Sequence, residues 1–381
     1  MRDNVEIGIG REARRTYDLD DISLLPTRRT RSSKDVDTTW HIDAYTFDMP
    51  VASHPTDALA TPEFVIEVGK QGGLGMINAE GLWGRHADLK AAIAKVCAAP
   101  DDLSVLQELH RAELDQDLLT ERIREVRDSG AVVAVRVSPQ RARELAPTVI
   151  AAGTDLLVVQ GTLISAEHVA TGGEPLNLKE FIGSLDVPVI AGGVADYTTA
   201  IHLMRTGAAG VIVGGGVNTN ADTVAIDVPL ATAIADVAAA RRDYLDETGG
   251  RYVHILADDR LSGSADIVKS IACGADAVVL GPLLAQAREA GAQGYFWPSA
   301  AGHPRYPRGV IEYAGVVPND LDVDFTTGEG PIAPSLETVL HGPSNEPLGQ
   351  LNLVGGLRRA MAKCGYTDLK SFQKVGLAVR H

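Results

Sequence analysis

The apolar run "YVHILAD" ends on Asp258, and the runs "AGVIVGGG" and "DAVVLG" end on Gly214, Gly215, Gly216 and Gly281. A carboxylate at the C-terminal end of a buried strand faces the space that the strand ends enclose, and it can accept two hydrogen bonds from a diol. Glycines in the same position let backbone N–H groups approach a phosphate closely, although tight strand-to-helix turns also need them. Between Val211 and Val237 the order is strand, glycine burst, polar loop and helix, a plan suited to a phosphorylated ligand. That stretch holds no nucleophile able to work unaided. The three cysteines, Cys97, Cys273 and Cys364, are far apart and show no metal-ligand spacing. They read as free thiols of a reducing compartment, with neither a disulfide framework nor a metal site implied.

The elements that must position these residues repeat along the chain. Short apolar runs near Val51 and Met76, and from Ala131, Asp155, Val187, Ala209, Tyr252 and Asp276, make eight strands too apolar to have a wet face. Helical stretches such as "PEFVIEVGKQG" and "ADIVKSIACG" separate most of them, and "AAGTDLLVV", "TGAAGVIVG" and "CGADAVVLG" share one phrase, a helix stopped by glycine and followed by a strand. Eight such units predict an α/β fold, a (β/α)8 TIM barrel with its site on the loops after the strands. A doubly wound sheet would more often carry a GxGxxG turn after its first strand, and "SHPTDALA" has none. One domain is expected: an N-terminal cap over 1–48, a barrel core over 49–285, a flap-like segment over 286–345, rich in Gly and Pro, and a C-terminal helix and tail over 346–381.

With 50 acidic against 35 basic side chains, the formal charge of −15 disfavours a phosphodiester partner. The local exception, "TRRTRSSK" from Thr27 to Lys34, is the kind of run that is usually a solvated loop. No apolar stretch is long enough to span a bilayer and the N-terminus lacks an apolar signal core, so a soluble cytoplasmic protein is expected.

The ordered series "TYDLDDISLLP", "GGLGMINAEG", "PVIAGGV", "HLMRTGAAGVIVG", "VPLATAIADV", "ILAD", "DIVKSIACGADAVVLG" and "LVGGLRRAMAKCG" resembles the IMP dehydrogenase and GMP reductase family over nearly the whole chain. The resemblance is nearest to paralogues without the regulatory CBS-domain pair. It implies a purine nucleoside monophosphate (IMP or GMP), NAD or NADP as cofactor, and a homotetramer. It assigns the ribose to Asp258, phosphate contacts to Gly215, Gly216, Gly281 and Tyr295, the purine edge to Glu329 in "GEG", and the nicotinamide side to Gln160, Gly161 and Thr162.

Family members attack the purine with a cysteine thiolate from the loop after strand six. Counted back from Val228-Pro229-Leu230, that position is Asn218, an amide that cannot form the adduct. Thr219 is the only hydroxyl placed to substitute, with Asp222 or Glu329 as its base. The loop is shortened ahead of Asn218, which puts the family's monovalent cation in doubt. Where the family has two glycines after the ribose carboxylate, this chain has Asp259 and Arg260; Arg260 could anchor phosphate or fill the pocket. Pro282 removes a backbone donor after strand eight. Three readings follow: an oxidoreductase with a rearranged site, a nucleotide-binding regulator without turnover that joins active relatives, or a phosphate-binding barrel with unrelated chemistry.

Overall fold

A computed structural model describes residues 4–167, 176–315 and 333–380. Eight parallel strands form the barrel: β1 (Val51–Ser53), β2 (Met76–Asn78), β3 (Ala134–Val137), β4 (Leu156–Gln160), β5 (Val189–Val194), β6 (Gly210–Val213), β7 (His254–Asp258) and β8 (Ala277–Leu280). From β2 to β8 each strand pairs with the next, and β8 pairs with β1, which leaves the seam between β1 and β2. The remaining seam is closed by one bridge, Ala52 with Leu74, whose backbone bonds run both ways at 2.9 and 3.0 Å. All eight predicted strands are present. Every residue of β4, β5, β6 and β8 is buried, as expected for strands covered by side chains within and helices without.

The helices that cover the barrel start and stop where the sequence supplies caps. Helix α1 (Pro62–Lys70) opens with Thr61 accepting from the Phe64 amide and Pro62 in its first turn. Helices α2 (Leu89–Cys97), α3 (Leu103–His110) and α4 (Gln116–Asp128) fill the long β2–β3 connection, each capped by an aspartate. Helix α5 (Ala142–Ala152) stops at Gly153 with φ 114°, a backbone that a side chain would strain. Helix α6 (Leu178–Gly183) and helix α7 (Tyr197–Arg205) follow β4 and β5. A one-turn α8 (Asn220–Val224) and the long α9 (Leu230–Thr248) follow β6; α10 (Ser264–Cys273) follows β7 and α11 (Pro282–Ala285) follows β8.

The end opposite the site is plugged and clamped. A hairpin of Trp40–Ile42 with Tyr45–Phe47 places the fully buried Ile42 against Gly210, where a Cβ would lie 3.1 Å from the isoleucine Cδ1. At the base of β8, Asp276 accepts from the Tyr252 hydroxyl (2.7 Å), the Ile255 amide (2.8 Å), Arg241 (2.6 Å) and Lys370 (2.6 Å). Burial alone would raise its carboxyl, but Arg241 and Lys370 hold it below the usual range. Lys370 belongs to a terminal helix, Leu369–Phe372, and Leu377–Val379 pairs with Ile22–Leu24, so both ends of the chain are fastened to the barrel.

Beyond β8, Tyr295–Phe296 pairs antiparallel with Glu312–Tyr313, and the helix Leu336–His341 precedes the longer C-terminal helix Leu353–Lys363.

Candidate functional site

Three strands deliver buried polar side chains to the floor of the barrel mouth: His54 just past β1, Gln160 at the end of β4 and Asp258 at the end of β7. Gln160 Nε2 donates to Asp258 Oδ2 at 2.6 Å. His54 Nε2 lies 4.0 Å from the same oxygen, too far for a hydrogen bond, and His54 Nδ1 has no partner. The histidine rests edge-on against Phe296, with ring centroids 6.0 Å apart. Gly216, at φ 69°, packs on this group so closely that a Cβ would lie 2.8 Å from His54 Nε2 and 3.3 Å from Asp258 Oδ2.

Electrostatics make the pair neutral. Burial, with Arg136 nearby, pushes the His54 imidazole down to about 3. Burial pushes the Asp258 carboxyl up to about 8, the Gln160 hydrogen bond opposing this and Asp259 adding to it. Near pH 7 the floor therefore holds a neutral imidazole beside a largely protonated acid.

Above this floor opens a cavity of about 630 Å³ over the ends of β1 to β4 and the loop after β6, within the range of small-ligand sites. Gln160, Gly161, Thr162 and Gly215 line it, as do His54, Asn78 and Ser138. Four arginines, Arg85, Arg136, Arg141 and Arg308, face it against one carboxylate, Glu80. Arg136 is an ion-paired cation at a strand end, donating to Asn78 Oδ1 (3.2 Å), Glu80 Oε2 (3.3 Å) and the Gln160 carbonyl (2.7 Å). On the far wall His110 Nε2 sits 3.3 Å from Asp57 Oδ2, a carboxylate also held by the Leu82 amide at 2.7 Å.

The other residues singled out in the sequence are spread around this floor. Asn218 is half-buried, and its amide serves the loop: Nδ2 donates to the carbonyls of Gly215 (3.3 Å) and Gly216 (2.7 Å), and Oδ1 accepts from the Asn220 amide (2.8 Å). Thr219 is the residue before α8, and its carbonyl accepts from the Thr223 hydroxyl (2.7 Å). Arg260 is exposed and paired with both oxygens of Glu312, at 2.9 and 3.1 Å. Gly281 abuts the Phe296 ring, 2.8 Å from where its Cβ would be. Tyr295 packs edge-on with Tyr313 and lines a separate cavity of about 800 Å³ together with Asp88 and Arg288. Glu329 lies outside the described residues.

None of the three thiols lines the mouth cavity. Cys97 ends α2, Cys273 ends α10 and Cys364 follows the C-terminal helix. Burial raises all three, Cys273 to about 12, so none is a ready thiolate. Among the described residues no cluster of His, Cys, Asp or Glu is placed to hold a metal ion, and no helix is long and apolar enough to cross a membrane.

Sequence reasoning missed His54, Arg136, Glu80 and the Asp57–His110 pair. A signal was present: "HPTD" directly follows β1, and Asn78 and Arg136 are polar intruders in otherwise apolar strands. A polar side chain at the C-terminal end of a barrel strand belongs to the mouth.

Fold and site together define a (β/α)8 barrel with a neutral acid–imidazole floor beneath a cation-lined cavity. The IMP dehydrogenase / GMP reductase domain model matches residues 16–380, and the chain belongs to that family. A crystal structure of an IMP dehydrogenase/GMP reductase-like protein from Corynebacterium glutamicum is 68% identical, superposes with a TM-score of 0.92, and covers 99% of this chain and 98% of its own. A protein of Mycolicibacterium smegmatis, named an uncharacterized oxidoreductase, is 60% identical over 98% of this chain and 99% of its own length. The inosine-5'-monophosphate dehydrogenase of Thermoplasma acidophilum is 32% identical over 60% of this chain and 45% of its own length.

Proposed function

We propose that this chain is an oxidoreductase of purine nucleoside monophosphates, taking IMP or GMP together with NAD or NADP at the barrel mouth. The observation that carries the reading is the charge of the mouth cavity. In a chain of net charge −15, four arginines and one glutamate face a single concave space. Such a space concentrates anions, and phosphates are the anions that guanidinium groups bind best. The donor set therefore fits a dinucleotide. Gln160, Gly161 and Thr162 would form its wall, and Arg85 and Arg308 would face its phosphates together with Arg141, whose guanidinium is paired with Glu144 at 2.6 Å. When bound, the nicotinamide supplies the hydride acceptor or donor. The protein's own residues bind, orient and exclude water, with Asp258 offered to the ribose and Gly215 and Gly216 to the phosphate side. A homotetramer in the cytoplasm accompanies this reading by family.

One observation favours a second reading, a nucleotide-binding regulator. The Asn218 amide is spent on the loop's own backbone, and no thiolate is at hand to attack a purine. Nicotinamide absorbance followed with IMP plus NAD and with GMP plus NADPH, beside ligand-induced shifts in melting temperature, separates the two. Turnover supports the oxidoreductase; shifts without turnover support the regulator; neither refutes both.

A further inference from the structure

Gln160 belongs to both halves of the mouth at once. Its side chain lines the cavity while its Nε2 occupies Asp258 Oδ2 at 2.6 Å, the oxygen that a ligand hydroxyl would seek. Its backbone is held from two sides: Arg136 donates to its carbonyl at 2.7 Å, and the adjoining Gly161 exchanges bonds with Gly192 and Gly193 at 2.9 and 3.0 Å. The side chain is thus the part free to change partners. Asp258 is almost wholly buried, and His54 Nε2 stands 4.0 Å from the oxygen Gln160 occupies, unbonded to it. A hydroxyl arriving there gains Asp258 and comes within reach of His54, provided the amide leaves.

We propose that Gln160 is a latch coupling the two ligand subsites: its amide caps Asp258, and a nucleotide hydroxyl that takes Asp258 turns the amide into the cavity to bind the second ligand. The inference rests on the proposed function. Its consequence is positive coupling. The first ligand works against the latch, and the second finds an added donor and acceptor already released. Gln160 is a positioning residue in this scheme, and coupling is the property that a merely structural role would leave unchanged.

The experiment is calorimetric titration of the full-length protein with GMP or IMP alone, with NADP or NAD alone, and with each pair. In the wild type, saturating monophosphate should tighten dinucleotide binding by about 5- to 100-fold, the usual span of such coupling. In Gln160→Leu, which keeps the bulk without the donor, the monophosphate alone should bind about tenfold tighter, because it no longer displaces a hydrogen bond to a carboxyl group, and the coupling should fall to about one. Gln160→Asn, one methylene too short for the latch, should shift in the same direction. Monophosphate affinity unchanged in both variants, or coupling that persists in them, overturns the latch alone. Absence of monophosphate binding to every form removes the proposed function and the latch together. Should either variant fail to fold, the side-chain amide resonances of Gln160 in the wild type decide: they move on addition of GMP or IMP if the latch opens, and stay in place if it does not exist.

Discussion

Replacing Asp258 by asparagine should stabilise this protein at neutral and alkaline pH. The carboxyl is carried from 3.8 to about 8 by burial, so the folded state binds its proton more tightly than the unfolded chain does. The stability tied to that proton is fully present below about pH 4 and is lost as pH rises through about 8. At about 1.4 kcal/mol per pH unit, ionisation penalises the fold by roughly 4 kcal/mol between pH 5 and pH 8. Asparagine has the shape of the protonated acid, still accepts from Gln160 Nε2 and never ionises, so Asp258→Asn should escape that loss. The other titrating groups are common to both proteins and cancel in the difference. In a chain of 381 residues 4 kcal/mol corresponds to roughly 5 °C in melting temperature. Thermal unfolding of both proteins at pH 5 and pH 8 measures it. The variant should gain on the wild type by that amount as pH rises. A difference that is the same at both values would show that Asp258 is not held protonated, and the neutral floor would fall with it.

Arg260→Gly should leave monophosphate affinity unchanged and lower stability by at most about 1 kcal/mol, because its guanidinium is an exposed partner of Glu312; a large loss of affinity in calorimetry would return Arg260 to the ligand. Arg136→Met should cost about 3 to 5 kcal/mol in urea unfolding by leaving Glu80 without its cation, and a neutral result would mean that the pair is solvated. Gly216→Ala should destabilise by about 1 to 3 kcal/mol, since φ is 69° and the methyl meets His54 and Asp258, and it should weaken any ligand of that floor. Asn218→Cys introduces a thiol and removes the amide that ties Gly215, Gly216 and Asn220 together, and a misplacement of about 1 Å can cost on the order of 100-fold, so little turnover should be gained.

The barrel was legible because its signal is local and repeated. Apolar runs such as "DLLVVQ" and glycine stops such as Gly153, Gly207 and Gly274, with φ of 114°, 99° and 125°, are written in adjacent residues. Asp258 and the Gly214–Gly216 turn were legible for the same reason, since a strand end announces the mouth. What lay hidden is what depends on partners distant in the chain. Gln160 and Asp258 are 98 residues apart, and nothing in either neighbourhood says that one amide takes the other's carboxyl group. Arg260 could be read as a phosphate anchor or as a pocket filler because Glu312, 52 residues on, could not be placed beside it. Tyr295 sits on a strand whose pairing with Glu312–Tyr313 follows a long irregular stretch, where periodicity gives no guide. His54 was passed over because a lone histidine in sequence carries no burial, and burial is what makes it neutral.

The barrel mouth should take a purine monophosphate without a cysteine adduct. Intact-mass measurement of the wild-type protein, incubated with IMP plus NAD and with GMP plus NADPH under conditions where calorimetry shows the monophosphate bound, tests it most directly. The mass should be unmodified in every case, and binding should be the same after Cys97, Cys273 and Cys364 have been alkylated without loss of fold. A covalent purine adduct on any of the three thiols would contradict it.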